Sequence, residues 1–175
     1  CGKHLIGHKL TKIVSNTKHR INLPTVSKLT NIRTYGKLMV FDFNDFYCLK
    51  EILKHYKVDI IICEYNSSHL PNEDKIIIYN QTGMWDKTNY FGSSLLSLDK
   101  LAKKYNYSLI YCDNKGVNCF FIHDDIIKSK NLEFKNMNDI NNIYKPPGYY
   151  CETKQGHYPD PLNRQYITFD EAINL

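Results

Sequence analysis

Apolar residues along this chain arrive in short blocks of two kinds. Leu38–Phe43 (LMVFDF) and Val58–Cys63 (VDIIIC) are near-continuous apolar runs of strand length, which suit strands covered on both faces. Between them Phe46, Leu49, Leu53 and Tyr56 recur at helical spacing and share one face, and Asn44 or Asp45 is a good N-cap for that helix. A strand–helix–strand unit of this length implies a right-handed crossover and a parallel pair. Leu95, Leu98, Leu101, Ala102 and Tyr105 predict a second helix, capped by Ser93 or Ser94. Tyr107–Asp113 and Val117–His123 follow as strands, and the short Asn114-Lys115-Gly116 connection predicts an antiparallel hairpin.

The flanking segments are less regular. Asn66–Asn89 is a long polar loop with Ile76–Tyr79 as a short strand inside it, and a loop of that length is usually a lid or a binding loop. Before residue 35, HLIGHKLTKIV fits a short strand or a helix. Leu23-Pro24-Thr25 is a turn or a helix start, and Val26, Leu29 and Ile32 repeat at helical spacing towards Gly36. Asp124–Lys130 predicts a short helix, and Pro146-Pro147-Gly148, Gly156, Pro159 and Pro161 predict an extended tail on the surface. The expected organisation is a basic arm at 1–34, an α/β domain at 35–130 and the tail at 131–175. The expected fold is an α/β sheet with parallel central strands and an antiparallel C-terminal β-hairpin.

Composition narrows the class. A chain of 175 residues with 42% hydrophobic and 13% aromatic residues can bury a core and is expected to form one globular domain. The net charge of +5 is concentrated early: residues 1–40 carry Lys9, Lys12, Lys18, Arg20, Lys28, Arg33 and Lys37 and no acid. Such an arm suits phosphates, RNA or an acidic partner, or a solvated surface. Six cysteines lie at 1, 48, 63, 112, 119 and 151 with no CxxC spacing. Four of them sit in apolar runs, so a reducing, intracellular compartment is expected. No stretch is apolar enough to span a bilayer, and no membrane partner is expected. The start is too polar for a signal peptide, and Cys1 in place of Met suggests processing or a piece of something longer.

Candidate chemistry gathers where the two runs end. Ligands of open α/β sheets bind at the carboxyl ends of strands. Asp42 ends the first run and Glu64 the second, so the two carboxylates can come together as a base or as oxygen ligands for a divalent metal. Asp45 is fully accounted for as a helix N-cap. Asn66, Trp85, Asn89 and Tyr90 can line an acceptor pocket, or Trp85 can simply anchor the loop. His4 and His8 share an i, i+4 spacing but have no acidic or cysteine partner nearby, so a solvated arm is the better reading.

Several motifs occur in the order found in FkbM-like proteins of the class I S-adenosylmethionine-dependent methyltransferases. VFDFNDFY (Val40–Tyr47) and IICEYN (Ile61–Asn66) resemble that family's acidic IDIDGNDY-type and IEYN strand ends. WDKTNYFGSSLLSLDKLAKKYNYSL, CDNKGVNCFFIHDD, YKPPGYY and GHYPDP are similar too, and the resemblance covers about residues 35 to 170. It implies the C-terminal half of a Rossmann-like sheet and S-adenosylmethionine as the family's cofactor. Two departures weaken catalysis. Asp42-Phe43-Asn44-Asp45 shortens the acidic motif and lacks its glycine. About forty residues precede Phe41, too few for two βα units at ~30 residues each, so no cofactor-binding residue is identified. The expectation is therefore a methyltransferase-like protein that has lost S-adenosylmethionine binding and serves as a structural or interaction subunit. The alternative is an active O-methyltransferase on a sugar or small-molecule hydroxyl, completed by another chain. A weaker alternative is a basic, RNA-associated subunit of a ribonucleoprotein complex.

Overall fold

The computed structural model describes residues 46–80, 85–149 and 156–175 in full and, before residue 46, the backbone of four short strands. Asp42, Asn44, Asp45, His4, His8, Leu23-Pro24-Thr25, Val26, Leu29 and most of the basic arm lie outside the described residues. The strands before residue 46 are β1 (Ile13–Val14), β2 (Arg20–Ile21), β3 (Ile32–Tyr35) and β4 (Leu38–Phe41). Helix α1 (Phe46–His55) leads to β5 (Ile60–Glu64) and, through the long loop with β6 (Ile76–Ile77), to α2 (Leu95–Lys104). The hairpin strands β7 (Tyr107–Cys112) and β8 (Asn118–His123) precede α3 (Asp124–Ser129), α4 (Ile140–Ile143), β9 (Tyr166–Ile167) and α5 (Phe169–Ala172).

The main sheet has the order β3-β4-β5-β8-β7. The mixed α/β character agrees with the sequence, and β4 and β5 are the parallel pair, with Leu38 opposite Ile60 and Val40 opposite Ile62. The β7–β8 hairpin is antiparallel as expected, whereas the expected run of parallel central strands is corrected: β3–β4 and β5–β8 are antiparallel too. Two physical reasons lie behind the difference. Ile32, expected at helical spacing, belongs to β3, where Ile32-Arg33-Thr34-Tyr35 is rich in β-branched and aromatic residues and pairs back on β4. The second reason is that β8 enters beside β5 and leaves β7 outermost. Cys119, Phe121, Ile122 and His123 of β8 are all buried, as an interior strand requires. In β7 Tyr111 is 44% exposed, and a register shift lies between Leu109 and Tyr111, features suited to an edge.

The hairpin turn depends on Gly116. Its φ is +68°, and a Cβ there would lie 2.5 Å from the carbonyl oxygen of Pro146. Asp113 closes the turn by accepting the N–H groups of Lys115, Val117 and Asn118. Helix α2 begins at Ser94, whose hydroxyl accepts the N–H of Ser97. Leu95, Leu98, Leu101 and Ala102 bury the face expected from their spacing, against Phe46, Leu49 and Leu53 of α1 in the same core.

Cys63, Cys119 and Cys112 occupy one rung across β5, β8 and β7. All are buried and free, as is Cys48. The bonds from Tyr65 N–H to Val117 and from His123 N–H to Asp59 place Cys63–Cys119 at a hydrogen-bonded rung. Side chains splay there, which disfavours the close Cβ approach a disulfide needs, although the sulfurs are 3.5 Å apart. The Cys119 thiol instead donates to the Cys63 carbonyl, and burial pushes its pKa well above the usual value.

The C-terminal residues carry more structure than an extended tail. β9 pairs antiparallel with β6, Ala172 is fully buried, and α5 starts with a capping box between Thr168 and Glu171. Asp74, in the long loop, accepts from Ser97 Oγ and Phe169 N–H and pairs with Lys100, binding loop, α2 and α5 together. Lys50 of α1 is buried and donates to the carbonyls of Ala172 and Ile173 at 3.2 and 3.3 Å. Replacing it leaves a buried gap and two carbonyls without a charged donor. Lys50→Ala is therefore expected to lower unfolding free energy by about 2 kcal/mol in urea titrations, with Lys50→Arg losing less; equal stability of all three proteins would refute the role.

Candidate functional site

The site is built at the carboxyl end of β5. Glu64 lies half-buried at that end, opposite Asn118 in the register. Next to it Tyr65 is buried, donates its hydroxyl to the Lys145 carbonyl at 2.7 Å, and has its pKa raised by desolvation. Asn66 is fully buried. Its Nδ2 donates to the carbonyls of Asn89 and Phe91 at 2.8 and 3.0 Å, and its Oδ1 accepts the N–H of Ser68. Its backbone N–H reaches the Ser93 carbonyl, so one residue ties the strand end to both sides of the long loop's return.

His69 completes this cluster. It is buried, stands edge-on to the Tyr166 ring at 4.7 Å, and its Nε2 lies 3.3 Å from Asn66 Nδ2. Two carbonyls take the hydrogens of the Asn66 NH₂, which offers no lone pair in return, so a proton on the facing Nε2 would find no acceptor there and the neutral ring is favoured. Desolvation, with Lys75 nearby, lowers the His69 pKa to about 4.

The remaining sequence-picked residues serve the loop. Asn89 accepts the Asp160 N–H on Oδ1, donates its backbone N–H to Tyr158, and accepts Tyr166 Oη on its carbonyl. Tyr90 donates to the Gln165 carbonyl, and its ring lies 4.1 Å from the Arg164 guanidinium. Trp85 donates to the Thr88 carbonyl, sits edge-on to His157 at 4.7 Å and is 49% exposed, so it anchors its own loop while keeping half its surface outside. Arg164 joins the pieces: it pairs with Asp160 at 2.9 Å and Asp86 at 2.6 Å and reaches Thr88 Oγ1. The Arg164 hydrogen bond holds Asp160 at about 2, below the usual carboxylate range.

Asn66, Asn89 and Tyr90 therefore lie together around Tyr166, Glu64 stands two residues before Asn66 at the strand end, and Trp85 is half-exposed in the loop, whereas Asp42 is outside the described residues. Among the described residues no group of three or more His, Cys, Asp or Glu side chains can hold a metal ion. Among the described residues the buried hydroxyl of Ser68 has no hydrogen-bond partner, whereas the Ser67 side chain lies against Tyr149 and offsets part of the rise that burial gives its pKa. Sequence reasoning missed His69, Arg164, Asp160 and Tyr166. The i, i+4 spacing of Asp160 and Arg164 was a usable signal for one of these pairs, whereas no local pattern marks His69. No family model matches the chain, and no curated protein or solved structure matches it either.

Two outcomes follow from this geometry. In the unfolded chain His69 takes up a proton near pH 6.5, while the folded protein resists protonation down to about pH 4. Unfolding therefore gains a proton in that window, and stability falls as pH drops through it, by on the order of 3 kcal/mol. Urea midpoints between pH 7 and pH 4 check this, and His69→Gln should remove that part of the slope. Arg164→Ala should release the 85–90 segment; the emission of Trp85, the chain's one tryptophan, should then shift to the red, and an unchanged spectrum would argue against the latch.

Proposed function

We propose that this chain is a methyltransferase-like α/β domain that serves as a structural or interaction subunit of a larger assembly and has no S-adenosylmethionine chemistry of its own. The observation that carries the proposal is the use made of Asn66: its amide is committed to the carbonyls of Asn89 and Phe91. Asn89 and Tyr90 are likewise committed to backbone partners at 158–166. A substrate would find these groups already bonded, and leaving their partners without them is costly. The parallel β4–α1–β5 unit followed by a C-terminal hairpin supports the resemblance to the C-terminal half of an FkbM-like, Rossmann-like sheet. The shortened Asp42-Phe43-Asn44-Asp45 motif supports loss of activity.

A partner protein is part of this reading. Leu70, Tyr158 and Leu162 are 58%, 69% and 71% exposed, large apolar groups that a partner can cover. The acid-free residues 1–40 extend the proposal to an acidic partner, RNA included. Four buried free thiols support a reducing, intracellular setting. No helix of the described residues is long and apolar enough to cross a membrane.

The second reading is an active O-methyltransferase completed by another chain, with Glu64 as base and with Asp42 and Glu64 as metal ligands where a divalent ion takes part. The Ser68 hydroxyl, unpartnered among the described residues, favours it, since an acceptor hydroxyl can satisfy it. Calorimetric titration of the chain with S-adenosylmethionine separates the two. No saturable heat at millimolar ligand is expected; micromolar binding would replace the first reading with the second. In size-exclusion chromatography the chain is expected to self-associate or capture a partner, and a stable monomer with no exposed apolar surface would count against the subunit role.

A further inference from the structure

A cavity at the opposite end of β5 takes no part in the Glu64 site. It has a volume of about 320 Å³ and opens between the last turns of α1 and α2, where Lys54, Lys57, Lys104, His123, Tyr56 and Tyr105 line it. β8 runs antiparallel to β5, so its last residue, His123, lies where β5 begins. No Asp or Glu lines the cavity.

The polar lining is rich in donors. His123 is 6% exposed, and its Nδ1 accepts the N–H of Asp125 at 3.1 Å. A neutral ring in that arrangement carries its proton on Nε2, which is then a donor. Lys54 and Lys57 pair with Glu51 and Asp125 at the surface, where such pairs are weak and exchangeable. Lys103 is paired with Asp99, whereas its neighbour Lys104 has no ion pair among the described residues. Basic residues in a last helical turn also offset the negative end of the helix dipole, which accounts for Lys54 and Lys104 near their own axes. Lys57, beyond α1, pairs with Asp125, and His123 caps α3 through Nδ1, so a ligand here would compete for Lys57 and use the other ring nitrogen of His123.

We propose that this cavity binds the phosphate monoester of a small molecule. The phosphate is held by the ammonium groups of Lys54, Lys57 and Lys104 and by His123 Nε2–H, and the ligand's body lies against Tyr56 and Tyr105. A phosphate dianion accepts several hydrogen bonds at once, and lysine binds it as a point charge. Aromatic side chains offer a stacking surface to a flat ring. The volume is at the lower end of small-molecule pockets, about 300–1,000 Å³, and limits the ligand to about the size of a mononucleotide.

Calorimetric titration of the full chain with inorganic phosphate, adenosine 5′-monophosphate and adenosine tests the proposal. The monophosphate should bind more tightly than phosphate, adenosine should give no saturable heat, and added salt should weaken both anions. Lys104→Glu, at the exposed end of α2, should weaken the monophosphate at least tenfold with an unchanged thermal melt, and Lys54→Glu serves as the second variant. Lys9→Glu, in the basic arm, should leave the affinity as it is. Absence of saturable heat for the monophosphate, equal binding of adenosine, or undiminished affinity in both cavity variants overturns the assignment.

Discussion

The side chain of Asn66 holds together stretches of chain that have no other reason to meet. It stands at the end of β5, where the backbone leaves the sheet and needs new hydrogen-bond partners. Its NH₂ reaches two carbonyls of the returning loop, and its carbonyl oxygen fixes Ser68. That orientation leaves no acceptor for a proton on the facing Nε2 of His69, and His69 in turn packs edge-on to Tyr166 of β9. Tyr166 closes the circuit by donating to the same Asn89 carbonyl that Asn66 uses. A long loop that would otherwise be costly to order is thereby folded as part of the core.

The sheet and this circuit depend on each other through β8. Because β8 lies beside β5, the hairpin turn at Gly116 comes close to the segment at Pro146, and Tyr65 reaches the Lys145 carbonyl there. The chain after α4 is thus directed back over the strand end, which brings 156–166 against 85–91. Arg164 secures that crossing by ion pairs that are partly exposed, whereas Lys50 and Asp74 secure α5 from below by more buried contacts. The C-terminal segment is held at both ends, and its exposed middle presents Tyr158 and Leu162.

What the sequence made legible was local. Helices α1 and α2 follow from their apolar spacing, Ser94 from capping preference, and the hairpin from a short turn containing glycine. The parallel β4–β5 pair follows from a crossover of the right length. The strand order was not legible, because an apolar run fits either side of a hairpin, and only the burial of both faces of β8 decides which strand goes inside. Asn66, Asn89 and Tyr90 were singled out as lining an acceptor pocket, and the structure places them together around Tyr166. Their work could not be read from their positions, because a buried amide serves a ligand or a backbone equally well until its partners are known. His69 and Tyr166 meet across almost a hundred residues, and no periodicity records that contact.

The same reasoning separates a strand end that is merely well placed from one equipped to react. A catalytic strand end keeps donors and acceptors available for a reacting group, oriented by supports behind them. Here the amide of Asn66 is itself the support, and the groups it orients are backbone carbonyls. Beside it, among the described residues, the Ser68 hydroxyl is buried without a hydrogen-bond partner. Glu64 stands at the right end of the right strand, but position alone does not make a base; it also needs a proton to take and a neighbour to hold the substrate. At the other end of β5 the lining includes three lysines, tyrosines and a buried imidazole, with Glu51 and Asp125 pairing with Lys54 and Lys57 from beside it. The three lysines there outnumber those two carboxylates, which is why the proposed ligand is sought at that end of β5 rather than beside Glu64.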